Sequence, residues 1–128
     1  MRLLLDTHAL LWWVAGDARR MSARARATVE EAEAVHVSAV TGYEITLKHD
    51  RGRLPEGALV ARDVAVAVLA EDFAALPVTL RHAELAGRLP LHHRDPFDRM
   101  LAAQALAEAL TVVSADAAFD AYAVPRLW

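Results

Sequence analysis

Four acidic residues stand at positions from which their carboxylates could hold a divalent cation. Each follows a predicted strand or opens the helix that precedes one, and the four are Asp6, Glu44, Asp98 and Asp116. In an open parallel sheet, ligands bind outside the carboxyl ends of the strands, near the point where the strand order reverses. We therefore expect these side chains to meet at one sheet edge, Asp98 doing so if its helix begins against that edge.

Carboxylates gathered at one edge repel each other. Two of them about 4 Å apart repel by about 1 kcal/mol in water and by about 4 kcal/mol at an effective dielectric constant of 20. A bound divalent cation reverses the sign of this term. Because ligands that are all oxygen atoms favour Mg²⁺ or Mn²⁺ over zinc, the pattern predicts a magnesium or manganese site.

The helix predicted over 40–51 indicates how Glu44 is placed. Val40, Tyr43 and Leu47 are spaced to form an apolar stripe, and Glu44 falls within it. We therefore expect the Glu44 carboxylate on the buried side of this helix. A buried carboxylate needs a partner, and the expected partner is a cation shared with the other acids.

Short β-rich runs alternate with alanine-rich helical stretches along the chain. Strands are predicted over 3–5, 36–38, 75–78, 110–113 and, at the sheet edge, 124–128. Helices are predicted over 9–15, from a Ser22 cap to about 34, over 40–51 and 61–70, over 80–88 with a Thr79 cap, over 96–109, and from a Ser114 cap to 122. This alternation favours parallel pairing. It predicts a three-layer α/β/α sandwich with a central, mostly parallel sheet of four to five strands, forming one domain over 1–128.

The composition excludes several classes of protein. The chain has 128 residues, of which 55% are hydrophobic, so it can form a core and is not intrinsically disordered. It has no cysteine, which excludes disulfide scaffolds, thiol catalysis and cysteine-bound metal sites. A net charge of −3 argues against a histone-like DNA binder but not against a nucleic-acid substrate. No apolar run reaches the ~18–20 residues of a membrane helix, and Asp6 comes too early for a signal peptide, so a cytoplasmic location without a membrane partner is expected.

Four segments of the chain carry a recognisable pattern. They are residues 4–13, residues 38–48 with Tyr43-Glu44-Ile45, residues 93–105 with Asp95-Pro96-Phe97-Asp98, and residues 111–122 with Leu127-Trp128 beyond them. In these segments the chain resembles the PIN-domain ribonucleases and, among them, the toxins of VapBC-type toxin–antitoxin pairs. The four segments occur in the family's order and span nearly the whole chain.

The resemblance implies a function and a set of site residues. Asp6, Glu44, Asp98 and Asp116 would form an acidic site that binds Mg²⁺ or Mn²⁺ and hydrolyses RNA phosphodiester bonds. Asp98 matches the family's third acid better than Asp95, and Ser114 fits the small hydroxyl residue that precedes the fourth acid. Family members dimerise and are inhibited by a small antitoxin, so a homodimer or a toxin–antitoxin hetero-oligomer is expected.

Several of these residues also have a purely structural interpretation. Asp95 is a suitable N-cap, while Asp98 and Asp116 suit the positive end of a helix dipole. Thr7 is expected to cap the helix after the first strand and can also form a hydrogen bond near the metal. Glu44 either binds a second ion or orients the attacking water. The adjacent histidines at 92 and 93 lack a metal-ligand spacing, and no metal role is predicted for them.

Two other function classes compete with the nuclease. An aspartyl-phosphate enzyme of the receiver type would need an acid after the third strand, where Val78-Thr79-Leu80 stands. A haloacid-dehalogenase-type phosphatase would need a second acid two residues after Asp6, where His8 stands. The remaining alternative is a catalytically inactive PIN-like interaction module.

Overall fold

A computed structural model describes residues 1–128 as five strands and seven α-helices. The strands are β1 (Arg2–Leu5), β2 (Ala34–Ser38), β3 (Ala74–Leu76), β4 (Thr111–Val113) and β5 (Arg126–Leu127). The helices are α1 (Thr7–Ala15), α2 (Ala23–Glu31), α3 (Ala39–Asp50), α4 (Ala58–Ala61), α5 (Val64–Ala70), α6 (Leu80–Arg88) and α7 (Pro96–Glu108), with 3₁₀ turns at Pro55–Gly57 and Ala117–Tyr122. None of the helices is both long and apolar enough to span a bilayer.

All five strands are parallel and lie in the order β3-β2-β1-β4-β5. The chain runs outward from β1 through β2 to β3 and then returns to place β4 on the other side of β1. The strand order therefore reverses between β1 and β4, which is where open α/β sheets bind ligands. The parallel sheet flanked by helices confirms the predicted fold class.

The central strand β1 is buried on both faces. Leu3, Leu4 and Leu5 have no exposed surface, and alternate side chains of a strand point to opposite faces of the sheet. Leu3 and Leu5 pack in the larger apolar cluster with Leu10 of α1, whereas Leu4 packs in the smaller cluster with Leu101 of α7. A central parallel strand needs such a continuous apolar run, so β1 is a rigid base for the residue that follows it.

The predicted caps of α6 and α7 are confirmed. Thr79 accepts a hydrogen bond from the backbone N–H of His82, whose ring accepts one from the Thr79 N–H in return. Asp95 accepts a hydrogen bond from the Phe97 N–H, and Pro96 is the first residue of α7. The N-terminal turn of α7 is thereby fixed beside the sheet edge.

Two helix boundaries differ from the prediction. The predicted helix over 61–70 is two helices, because Asp63 leaves the helical conformation and caps α5 by accepting from the Val66 N–H. The helix after Ser22 ends at Glu31 rather than near 34, because β2 begins at Ala34 and pairs with β1 there.

Two side-chain predictions are also wrong. The apolar stripe proposed for α3 is not its buried face, since Tyr43 is 60% exposed and the buried positions are Thr41, Glu44 and Ile45. Ser114 does not cap the turn after β4. Asp116 caps it, by accepting from the Ala118 N–H, while the Ser114 hydroxyl is turned toward β1.

Candidate metal centre

A polar cavity of about 240 Å³ opens at the carboxyl ends of β1 and β4. No hydrophobic residue lines it, and its walls are Asp6, Thr7, His8, Glu44, Lys48, His93, Asp95, Asp98 and Asp116. All four acids expected from the sequence are therefore brought to one place, and Asp95 joins them. Five carboxylates share this small volume with one lysine, so the cavity is strongly negative.

Asp6 links β1 to β4 and to α1. Its backbone N–H donates to the Val113 carbonyl at 3.2 Å. One carboxylate oxygen, Oδ1, caps α1 by accepting from the Ala9 N–H at 2.9 Å, and the other accepts from the Ser114 hydroxyl at 2.5 Å. Asp6 rather than Thr7 is therefore the cap of α1. Ser114 in turn accepts from the Asp116 N–H at 3.0 Å, which places the fourth acid relative to the first.

The cavity raises the pKa of two of its carboxyls. Burial raises the pKa of Asp6 from its ordinary 3.8 to about 6, although the hydrogen bonds from Ser114 and Ala9 favour the charged form. Burial also raises the pKa of Asp98, and the negative charges of Asp95 and Glu44 add to that rise. Both groups are therefore held in a place that disfavours their charge unless a cation is present.

Asp98 and Asp116 meet at His93. The His93 Nε2 atom lies 2.9 Å from Asp98 Oδ2. One ligand atom from each of His93, Asp98 and Asp116 lies within 4.8 Å of the others, so the three side chains are close enough to share one cation. Asp95 caps α7, as its structural interpretation holds, and also lines the cavity.

Glu44 is buried as predicted, but its partners differ from the prediction. Its side chain accepts a short hydrogen bond from the Thr7 hydroxyl through Oε1. Its Oε2 atom lies 2.5 Å from the Lys48 ammonium. Both oxygens are engaged within the protein, so Glu44 does not need a metal ion to be stable in its buried position.

Sequence reasoning assigned no site role to three residues that line the cavity, His8, Lys48 and His93, and it predicted no metal role for His93. Lys48 is four residues after Glu44 on α3, a spacing that brings the two side chains together on one helix face. The sequence therefore contained the information needed to pair Lys48 with Glu44. His93 lies in the loop before α7, and no periodicity marks it. The loop is fastened by Tyr122, whose hydroxyl accepts from the His93 N–H at 2.8 Å, and by Arg99, which donates to the carbonyls of Leu89 and Pro90.

The donor set of the cavity fits a divalent cation. Asp6, Asp98 and Asp116 present carboxylate oxygens, each of which keeps lone pairs beyond those used in hydrogen bonds. Burial raises the pKa of Asp6 and Asp98, so a cation bound beside them would favour their charged forms. Hard oxygen donors of this kind suit Mg²⁺ or Mn²⁺, and His93 adds a nitrogen donor.

Comparisons with known proteins give a family for the sequence and relatives for the fold. The PIN domain family model matches residues 3–125. Ribonuclease VapC22 of Mycobacterium tuberculosis is 28% identical over 131 residues, covering 97% of this chain and 94% of that protein. Among solved structures, the fold resembles FitAcB from Neisseria gonorrhoeae (TM-score 0.67, 22% identity, 98% of this chain and 96% of that one). It also resembles DNA-bound VapBC from Salmonella typhimurium (TM-score 0.70, 18% identity, 100% and 97%).

The raised pKa of Asp6 predicts that Asp6→Asn stabilises the metal-free protein. A carboxyl whose pKa is higher in the folded state than in the unfolded one lowers the free energy of unfolding as the pH rises. For Asp6 this decrease falls between about pH 4 and pH 6. At pH values above 6 the free energy of unfolding is lower by roughly 3 kcal/mol than it would be without this pKa shift. In EDTA, thermal unfolding at about pH 8 should show a higher midpoint for the variant, and the difference should shrink toward pH 5.

Asp120→Asn is the matched control. Arg126 lowers the pKa of Asp120 by a hydrogen bond, which is the opposite sign, so this variant should not be stabilised. A wild-type protein that matches Asp6→Asn at alkaline pH, or a difference that does not change with pH, would contradict the proposed cost of burying Asp6.

Proposed function

The chain belongs to the PIN domain family, and from that premise we propose that it is a metal-dependent endoribonuclease acting as the toxin of a toxin–antitoxin pair. One nuclease domain over residues 1–128 carries the activity, which hydrolyses RNA phosphodiester bonds. The observation that carries the proposal is the convergence of Asp6, Asp98 and Asp116 at the edge where the strand order reverses. The similarity to a ribonuclease over nearly the whole chain supports RNA as the substrate.

The proposed partners follow from the similar structures. Those from Salmonella and from Rickettsia felis are VapBC complexes. We therefore propose that a small antitoxin binds and inhibits this chain, which works as a homodimer or within a toxin–antitoxin hetero-oligomer. Its place of action is the cytoplasm, where the RNA is found.

The proposed metal ligands are Asp6, Asp98 and Asp116, with His93 beside them. Because the donors are mainly carboxylate oxygens, the ion is Mg²⁺ or Mn²⁺. When bound, such an ion lowers the pKa of a coordinated water and offsets charge that develops on the phosphate.

The protein's own residues prepare this chemistry by fixing the donors in advance. Ser114 and the Ala9 N–H hold both oxygens of Asp6, so that its carboxylate is oriented before any ligand enters. His93 holds Asp98 in the same way. Fixed donors lower the barrier because little reorganisation is left for the reaction itself.

Glu44 and Lys48 have a positioning role in this proposal. Thr7 and Lys48 occupy the two oxygens of Glu44, and Glu44 thereby holds the Lys48 ammonium at the cavity wall. There the ammonium is the cavity's permanent positive charge and can attract the substrate phosphate. Lys48 already neutralises the charge of Glu44, whereas Asp6 forms no ion pair, so we favour this role for Glu44 over that of a ligand to a second ion.

The competing proposal, a catalytically inactive interaction module, has no observation in its favour. In a protein without nuclease function, nothing would offset the destabilisation caused by buried carboxyls at one edge of the sheet. All four acids remain, and two have raised pKa values. The cleavage experiment separates the two proposals.

Cleavage of RNA by the purified, antitoxin-free protein should require Mg²⁺ or Mn²⁺. EDTA should abolish it, and Asp6→Asn or Asp98→Asn should lower the rate by about 100-fold or more, because each removes a negative ligand. Gel electrophoresis of labelled RNA measures the rate, and circular dichroism checks folding. Asp120→Asn should cleave like the wild type. Cleavage in EDTA, or a fully active Asp6→Asn protein, would refute the mechanism.

His93→Gln tests whether the imidazole is itself a ligand. Mg²⁺ prefers oxygen donors, whereas a transition metal gains from imidazole. Isothermal titration calorimetry should show Mn²⁺ affinity falling about tenfold or more, with a smaller change for Mg²⁺. The adjacent His92→Gln is the matched control and should change neither. An equal loss for both ions would mean that His93 acts only through Asp98, and no loss would remove it from the metal centre.

A further inference from the structure

One aromatic side chain is left in solvent beside the acidic cavity. Tyr43, which directly precedes Glu44 on α3, is 60% exposed. The other phenylalanine, tryptophan and tyrosine residues of the chain are buried or partly buried. A single exposed tyrosine is ordinary in a folded protein, so any role for Tyr43 has to be argued from the residues around it.

A series of side-chain contacts connects Tyr43 to the cavity. The Tyr43 ring meets the Phe97 ring edge-on, with centroids 5.7 Å apart and planes at 77°. Phe97 stands between Asp95 and Asp98 in the first turn of α7, and the Lys48 ammonium lies 5.7 Å from its centroid. The two rings, here called the Tyr43–Phe97 surface, therefore adjoin the cavity through Lys48.

The negative charge of the protein bears on how such a surface could contribute to RNA affinity. Contacts between basic side chains and phosphates supply essentially all of non-specific nucleic-acid binding. This chain has a net charge of −3, and its cavity holds five carboxylates and one lysine. An interaction that does not depend on charge would therefore add to the affinity of this acidic chain for RNA, and base stacking on an aromatic ring is such an interaction.

We propose that the Tyr43–Phe97 surface stacks an unpaired nucleobase of the RNA substrate, next to the phosphate that enters the acidic cavity. This inference rests on the proposed ribonuclease function and adds a substrate subsite to it. Lys48 lies between the surface and the carboxylates, so it neutralises the phosphate that follows the stacked base. The edge-on contact with Phe97 holds the Tyr43 ring in place before the base arrives, which lowers the entropic cost of binding.

The subsite selects single-stranded RNA. In a paired A-form helix the base faces are covered by their neighbours, whereas bases in loops, bulges and ends can stack on aromatic side chains. Stacking tolerates all four bases because each has a π-face. The Tyr43–Phe97 surface therefore favours an unpaired nucleotide at a defined distance from the cleaved bond without fixing its identity.

Binding is tested in the nuclease-deficient Asp6→Asn protein, so that the probe stays intact. Fluorescence anisotropy measures the affinity for a labelled single-stranded oligoadenylate and for an abasic oligomer of the same length and charge. Adding Tyr43→Ala should weaken oligoadenylate binding by roughly 5- to 150-fold and leave the abasic oligomer unchanged. Tyr43→Phe keeps the ring and should bind like the parent. Leu69→Ala removes an exposed apolar side chain of α5 (72% exposed) and serves as the matched control.

Two results would overturn the proposal. One is unchanged oligoadenylate affinity after Tyr43→Ala. The other is an equal loss for the abasic oligomer, which would show that the ring does not contact a base. Sedimentation of the same variants identifies the competing occupant: a dimer that dissociates on Tyr43→Ala, with RNA affinity unchanged, would assign the ring to a protein interface. The proposed function is decided separately, by RNA cleavage with the wild-type protein.

Discussion

The cost of burying several carboxylates together at the end of the central strand is the constraint on which the rest of the structure depends. Asp6, Asp98 and Asp116 come from distant parts of the chain and face one cavity. Burial raises the pKa of Asp6 to about 6, so the fold carries these groups at a cost to its own stability. A bound divalent cation stabilises the charged carboxylates. The same groups that destabilise the metal-free fold therefore favour metal binding.

The fold meets the constraint by surrounding the site with rigid elements. The buried leucines of β1 fix the position of Asp6, and Ser114 at the end of β4 fixes its orientation. The capped first turn of α7 brings Asp98 to the same edge. Arg99 and Tyr122 fasten the loop that carries His93. Apart from the capping Asp95, the side chains that provide these supports do not line the cavity, and the oxygens of the acids keep lone pairs for a ligand.

Local signals in the sequence were enough to predict the fold class and the convergence of four acids at one sheet edge. The caps at Thr79 and Asp95 were predicted correctly because a cap depends only on residues within one turn. The role of Ser114 was wrong because its hydroxyl donates to a residue 108 positions away, which no local pattern contains. No metal role was predicted for His93 because the adjacent histidines lack a metal-ligand spacing, and its contact with Asp98, five residues on, depends on the path of the loop before α7. The break at Asp63 was hidden because a single cap interrupts an otherwise uniform run of alanine and valine.

The central claim, that carboxylates from three parts of the chain hold one divalent cation, has a direct test. A crystal of the protein soaked in Mn²⁺ and measured at a wavelength where manganese scatters anomalously would locate the ion without any assumption about activity. The account predicts one strong anomalous peak in the cavity, in contact with oxygens of Asp6, Asp98 and Asp116. An empty cavity at saturating Mn²⁺, or a peak bound only by residues outside it, would contradict the account.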